Sequence, residues 1–192
     1  MTTAKRRWAT TDATQRRILD AATDVFAARG FTAATMADIV DHSGASIGSI
    51  YHHFGGKKEL FLAIFERLAA DINRGIDAAT VRATKLGPRR ALEANVQVYL
   101  DAIWANRRAA MVLTSGDTPA GFDAVVRSSM LESFRRWTPV LELDTSPRGQ
   151  LLSRILVAVM VEASAMVIVC VDPAEVGPIT DATVECIDHL TR

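Results

Sequence analysis

The sequence predicts an all-α protein of about nine helices, with a small N-terminal three-helix domain followed by a larger helical one. Three observations carry this. Apolar residues recur at three- and four-residue spacing along most of the 192 residues. Capping residues and Gly/Pro breaks fall at helix-length intervals. Strand signals are missing, with no sustained apolar–polar alternation and no Asn-Gly or Asp-Gly hairpin turn.

The elements follow in order. Asp12 and Gln15 have capping-box spacing, so the first helix is expected to start at Asp12. Ile18, Ala22 and Val25 form its apolar face, and Arg29-Gly30-Phe31 closes it. Thr35 with Asp38 opens a second helix that Ser43-Gly44 ends after two turns. Ser46 caps a third, stopped by Gly55-Gly56, and a long fourth runs from Lys57 to about Ala79. Gly87-Pro88 starts the fifth, because proline suits the first helical position. A short basic turn, Asn106 to Leu113, and a polar loop, Thr114 to Thr118, precede a helix expected from Pro119. Ser146-Pro147 starts an apolar helix, Asp172 to Pro178 makes a turn, and the last helix spans about Ile179 to Leu190.

Composition narrows the function classes. The chain is 49% hydrophobic and 23% charged, an ordinary globular balance that excludes disorder and collagen-like repeats. Its formal net charge is zero, so total charge does not announce a nucleic-acid partner. Residues 1–60 nevertheless hold eight basic against six acidic side chains. Lys5, Arg6 and Arg7 cluster in residues 1–11, read as a flexible basic arm that can reach phosphates or stay a solvated tail. Cys170 and Cys186 are too few for a disulfide framework, and the basic start lacks the apolar run of a signal peptide. A cytoplasmic protein is expected. Ile155 to Val171 is almost continuously apolar, yet Glu162 at its centre argues against a membrane span. A helix buried on nearly all sides, as in a helical interface, is the expectation, with no membrane partner.

No cofactor is expected, because Walker A and GxGxxG patterns are absent, and HExxH is missing too. Gly44-Ala45-Ser46-Ile47-Gly48 has the spacing of a nucleophile elbow, but that elbow needs a preceding strand and here a helix precedes it. The chain is not expected to be an enzyme. His42, His52 and His53 lack a Cys or carboxylate completing a metal-ligand spacing, so no metal site is expected.

Two very short helices joined by a Gly-containing turn and braced by a longer helix have the shape of a helix-turn-helix. Ser46, Gly48, Ser49, Tyr51, His52 and His53 are small, polar or hydrogen-bonding, as entry into a DNA major groove requires, while Ile50 and Phe54 hold the helix to its support. The run TMADIVDHSGASIGSIYHHFGGKKEL, Thr35 through Leu60, resembles the DNA-binding domain of tetracycline-repressor (TetR) family regulators. QRRILDAATDVFAARGF, Gln15 to Phe31, is similar to that family's first helix. The likeness covers about fifty residues closely; the remainder is similar only in architecture.

The resemblance implies a DNA-binding domain over 1–56 and a ligand-binding and dimerisation domain over 57–192. It implies that Thr35 and Lys57 hold phosphates, that Ser46, Ile47, Gly48 and Ser49 face base edges, and that Tyr51 and His52 touch phosphates or a base. Ile47 stands where the family often places lysine, and a thymine methyl is its natural contact. Gly55-Gly56 replaces the usual Pro-Ser or similar pair. An effector cavity would draw on Phe65, Leu68, Tyr99, Ile103, Trp104, Met111, Phe122, Met130, Phe134 and Met166, with Asn95, Gln97 and Thr114 as polar fixers. A homodimer seam would use Leu152, Ile155, Val159, Val167, Ile179, Cys186, Ile187 and Leu190. The expected function is a repressor released from palindromic double-stranded operator DNA by a small, largely apolar effector. The alternatives are an activator of the same family and a helical adaptor that does not bind DNA.

Overall fold

The computed structural model describes residues 3–83, 87–135 and 144–191. Among these it holds nine α-helices and one 3-10 turn: α1 (Thr3–Ala33), α2 (Met36–Ser43), α3 (Ile47–Phe54), α4 (Lys57–Ala83), α5 (Pro88–Ala105), α6 (Arg107–Thr114), α7 (Phe122–Arg135), α8 (Pro147–Val169) and α9 (Val176–Thr191), the turn being Pro173–Glu175. No strand occurs among the described residues. The all-α expectation holds.

The chain divides into two compact units. One comprises residues up to Leu68 together with Arg108–Ala120; the other comprises Ala69–Arg107 and the chain from Gly121 onward. Segment 108–120 therefore belongs with the N-terminal helices, although the sequence places it between α5 and α7.

In the first unit, Ile18, Ala22, Val25 and Phe26 of α1 are buried with Ile39 of α2, Ile50 of α3 and Leu60, Phe61 and Ile64 of α4. The rings of Phe26, Phe31 and Phe61 lie 5.2–5.8 Å apart in tilted and edge-on pairs. Each such side chain removed from water contributes about 1.5–3 kcal/mol, which lets two eight-residue helices persist that would melt in isolation. In the second unit, Leu92, Val96, Leu100 and Ile103 of α5 are buried with Leu156, Met160 and Val167 of α8 and with Val184 and Ile187 of α9. Gly75 of α4 lies so close to Val98 of α5 that a Cβ there would overlap it, and Thr80 donates to the buried Asn95 at 3.1 Å.

Four expectations are corrected. The first helix begins at Thr3, so Asp12 lies inside it and is not its cap. Pro119 does not start α7: the chain takes a left-handed turn at Gly121 (φ 83) and the helix opens at Phe122. α9 opens at Val176, three residues before Ile179, with Pro178 in its first turn, where its missing N–H costs nothing. The apolar helix α8 is not enclosed: Leu156, Met160, Ala163 and Val167 are buried on one side, whereas Leu151, Val161, Met166 and Val169 are exposed. By length and composition α8 is apolar enough to cross a membrane, and a third of its most apolar stretch is buried within the chain. Glu162 sits exposed on the open side.

Candidate nucleic-acid interface

The local sequence builds the α2–α3 corner as expected. Thr35 caps α2: its hydroxyl accepts the Asp38 N–H at 3.2 Å, and the Asp38 carboxylate accepts the Thr35 N–H at 2.9 Å. Gly44, at φ 63, takes the left-handed cap at the end of α2. Ser46 then caps α3 by accepting the Ser49 N–H at 3.1 Å. Gly55, at φ 95, ends α3 and turns the chain into α4.

This geometry leaves one face of α3 open. Ile47 is 47% exposed and Tyr51 51% exposed, and Gly48 and His52 lie on the same open surface. Ile50 is fully buried and Phe54 half-buried, so they anchor the opposite face. Ser49 is half-buried and Ser46 exposed. The structure thus brings Ser46, Ile47, Gly48, Tyr51 and His52 together on the exposed surface of a single short helix.

The Thr35 and Lys57 side chains, the expected phosphate contacts, bond within the chain. The Thr35 hydroxyl donates to Asp38 at 2.7 Å, and Arg29 pairs with the same carboxylate at 3.1 Å. These partners, the Thr35 hydroxyl first, hold the Asp38 carboxyl below the usual carboxylate range. A carboxylate therefore already occupies the anion-attracting start of α2. The Lys57 ammonium donates to the carbonyls of Phe31 (2.8 Å), Thr32 (3.2 Å) and Ala34 (2.8 Å), and it lies 4.7 Å from the Phe31 ring centre. All three of its donors are engaged, so Lys57 binds the turn that follows the kink in α1 at Gly30 and leads into α2.

Sequence reasoning missed the partner on the far side of that turn. Asp117, from the segment after α6, accepts the Thr32 N–H at 3.0 Å and the Thr32 hydroxyl at 2.5 Å. The Thr32 hydroxyl and N–H, with Lys57 nearby, hold the Asp117 carboxyl below its ordinary value. Gly30 makes room for it: its φ of 77 and ψ of 165 suit glycine, and a Cβ there would overlap the Asp117 carboxylate. The turn is gripped by a carboxylate on its N–H groups and an ammonium on its carbonyls. A second tie joins the same elements, with Arg108 donating to Asp24 at 2.9 Å and His42 Nε2 3.1 Å from that carboxylate. His53 faces Gln15 at 3.5 Å. The signal for these ties was faint, because an Asp in a polar loop reads as a turn residue.

The expected effector residues fall in both units. Phe65, Leu68 and Met111 belong to the first, with Met111 exposed. Tyr99, Ile103, Trp104, Phe122, Met130 and Met166 belong to the second, where Ile103 and Phe122 are buried and Met166 is exposed. Tyr99 Oη lies 3.0 Å from Ser164 Oγ, and burial pushes its phenol up. The Phe134 side chain lies outside the described residues. Asn95 is committed to Thr80, Gln97 donates to Asp101 and Thr114 donates to the Ala110 carbonyl. A polar groove of about 430 Å³ opens between α5 and α9, lined by Arg89, Glu93, Gln97, Asp181, Glu185, Asp188 and His189 among others. Of the expected seam residues, Val167 and Ile187 are fully buried within the chain, whereas Leu152, Ile155, Val159, Ile179 and Leu190 are half-buried and Cys186 exposed.

The family model for bacterial regulatory proteins of the tetR family matches residues 18–64, the stretch that runs from α1 through α3 into α4. Residues 18–64 form a tetR-family domain. The HTH-type transcriptional activator FasR of Mycolicibacterium smegmatis is 30% identical over 142 residues, 65% of this chain and 64% of FasR. The HTH-type transcriptional repressor KstR2 of Rhodococcus jostii is 35% identical over 95 residues, 50% of this chain and 46% of KstR2. The chain spans less than two thirds of the length of these curated relatives. A crystal structure of a TetR-like transcriptional regulator from Rhodococcus sp. RHA1 superposes with a TM-score of 0.70 over 93% of each chain, at 26% identity. These TetR-family relatives are transcription regulators and not enzymes.

Proposed function

We propose that this chain is a cytoplasmic, homodimeric TetR-family repressor that binds palindromic operator DNA through α3 and releases it when a small, largely apolar effector binds. Residues 1–56 act as the DNA-binding domain and 57–192 as the effector and dimerisation domain. The observation that carries the reading is the open face of α3, where Ile47, Gly48, Tyr51 and His52 are exposed beside a doubly capped turn. In a helix-turn-helix the second helix enters the major groove and its first residues meet base edges. Ser46, Ile47, Gly48 and Ser49 stand at that end, and Tyr51 and His52 follow one turn later.

The exposed apolar side of α8 supports the dimer. Leu151, Val161, Met166 and Val169 would each be hidden by a second copy, with Ile155, Val159, Ile179 and Cys186 at its margin. Two-fold symmetry then sets the recognition helices about one duplex turn, roughly 34–36 Å, apart. Operator and effector weaken one another by the same factor. A second reading, activation, is favoured by the FasR match, which extends over 142 residues.

A gel-shift of the full chain with its own upstream DNA tests the reading. The parent should bind, affinity should fall steeply with salt, and Tyr51→Ala should abolish binding while light scattering still reports the dimer. A Tyr51→Ala protein that binds as the parent does would refute the assignment of α3.

A further inference from the structure

We propose that α3 identifies its half-site through thymine methyl groups, with Ile47 as the specificity-determining residue and Gly48 clearing its approach. This rests on the reading of α3 as the DNA-facing helix and adds the kind of base pair it reads.

The side chains from Gly44 to Gly56 include no Arg, Lys, Asn or Gln. Those are the residues that pair two-pronged with guanine or adenine in the major groove, so that mode of readout is closed to α3. A serine hydroxyl has one donor and cannot make that two-pronged contact; Ser46 also accepts the Ser49 N–H, and Ser49 is half-buried.

What remains at the leading end is apolar. Ile47 is the first residue of α3 and is 47% exposed, and no fold requirement places it there, because Ile50 alone is fully buried on this helix. A β-branched residue in an exposed first turn gains nothing in helix propensity. Gly48 has open space where a Cβ would stand, so the fold does not demand glycine at this helical position. Glycine there costs helix stability, and its benefit is close approach of the neighbouring side chain to a flat surface. Among the four base pairs, only those with thymine present a methyl group in the major groove. A branched aliphatic side chain on an open, glycine-flanked helix end fits that group.

The test uses the full chain and duplexes enriched by it from a random pool. Each thymine of an enriched duplex is replaced by deoxyuridine, which removes only the methyl. Affinity should fall about fourfold for one methyl, and about fifteenfold when both half-sites are altered, as roughly 0.8 kcal/mol per buried carbon implies. Ile47→Ala, on an exposed position, should leave the helix content unchanged and bind thymine and uracil duplexes alike; Ile47→Val should keep most of the difference. A flat uracil scan, or a difference that survives Ile47→Ala, would overturn this inference while leaving DNA binding intact. Failure of any duplex to be enriched would overturn the underlying reading as well.

Discussion

Replacing Lys57 with methionine separates two uses of one charge. The ammonium serves three carbonyls, those of Phe31 and Ala34 in part-buried surroundings and that of Thr32 exposed. A hydrogen bond to a charged donor contributes about 1.5–3 kcal/mol, and a carbonyl left without its partner bears its desolvation cost as well. One ammonium shared by three acceptors does not give three independent bonds, the exposed one can recruit water, and methionine keeps the stem packed against Phe31. The net loss is then about 2–3 kcal/mol. With a urea dependence of about 2 kcal/mol/M, the unfolding midpoint should drop by about 1–1.5 M at unchanged slope and fixed protein concentration. A phosphate contact predicts the opposite signature, because losing one lowers the salt slope of DNA binding by about one and leaves unfolding alone. Stability within about 0.5 kcal/mol of the parent, together with that flatter salt response, would refute the structural role.

Three further outcomes follow from the same geometry. Gly30→Ala forces a Cβ into the Asp117 carboxylate at a backbone conformation reserved for glycine, so it should cost about 1–3 kcal/mol in urea unfolding, and an unchanged midpoint would contradict the described turn. Val169→Asp, on a residue 76% exposed, should yield a helical monomer by light scattering, whereas Val167→Asp, at 0% exposure, should lose helical circular dichroism outright; equal behaviour of the two would misplace the seam. Asp38 and Asp117 both titrate below their ordinary value of 3.8 in the folded chain, so their contribution is complete above that range and is lost as pH falls through their folded values. Asp117→Asn should therefore flatten part of the acid limb of stability, followed by circular dichroism from neutral pH to strongly acidic solution.

Much of the helical order was legible because helices declare themselves locally. The Thr35–Asp38 box, the Ser46 cap and the glycines after α2 and α3 fix those boundaries by chemistry within four residues. Where the deciding partner is distant, local signals fail. Asp12-Gln15 has the spacing of a cap, but α1 continues upstream through it. Pro119 suits a helix start, yet the left-handed Gly121 sets the start of α7. The apolar run of α8 reads as burial all round, because composition records hydrophobicity and not which face a neighbour covers.

The same ambiguity governs charge at the interface. A helix start that attracts phosphate attracts any carboxylate, and at α2 the chain supplies its own in Asp38, which Arg29 neutralises at 3.1 Å. A lysine beside a groove reaches phosphates or carbonyls with the same donors, and at Lys57 the carbonyls of the turn after the Gly30 kink take all of them. The residues that match the family pattern at the α2–α3 corner thus include groups that hold the corner together as well as groups left exposed on α3. Exposure and donor accounting separate them: Tyr51, Ile47, Gly48 and His52 present free surface, while Thr35 and Lys57 spend their hydrogen bonds inward. Asp117 makes that holding role depend on a segment more than eighty residues from Thr32, so the pose of α2 is tied to residues 108–120 as firmly as to its own neighbours in sequence.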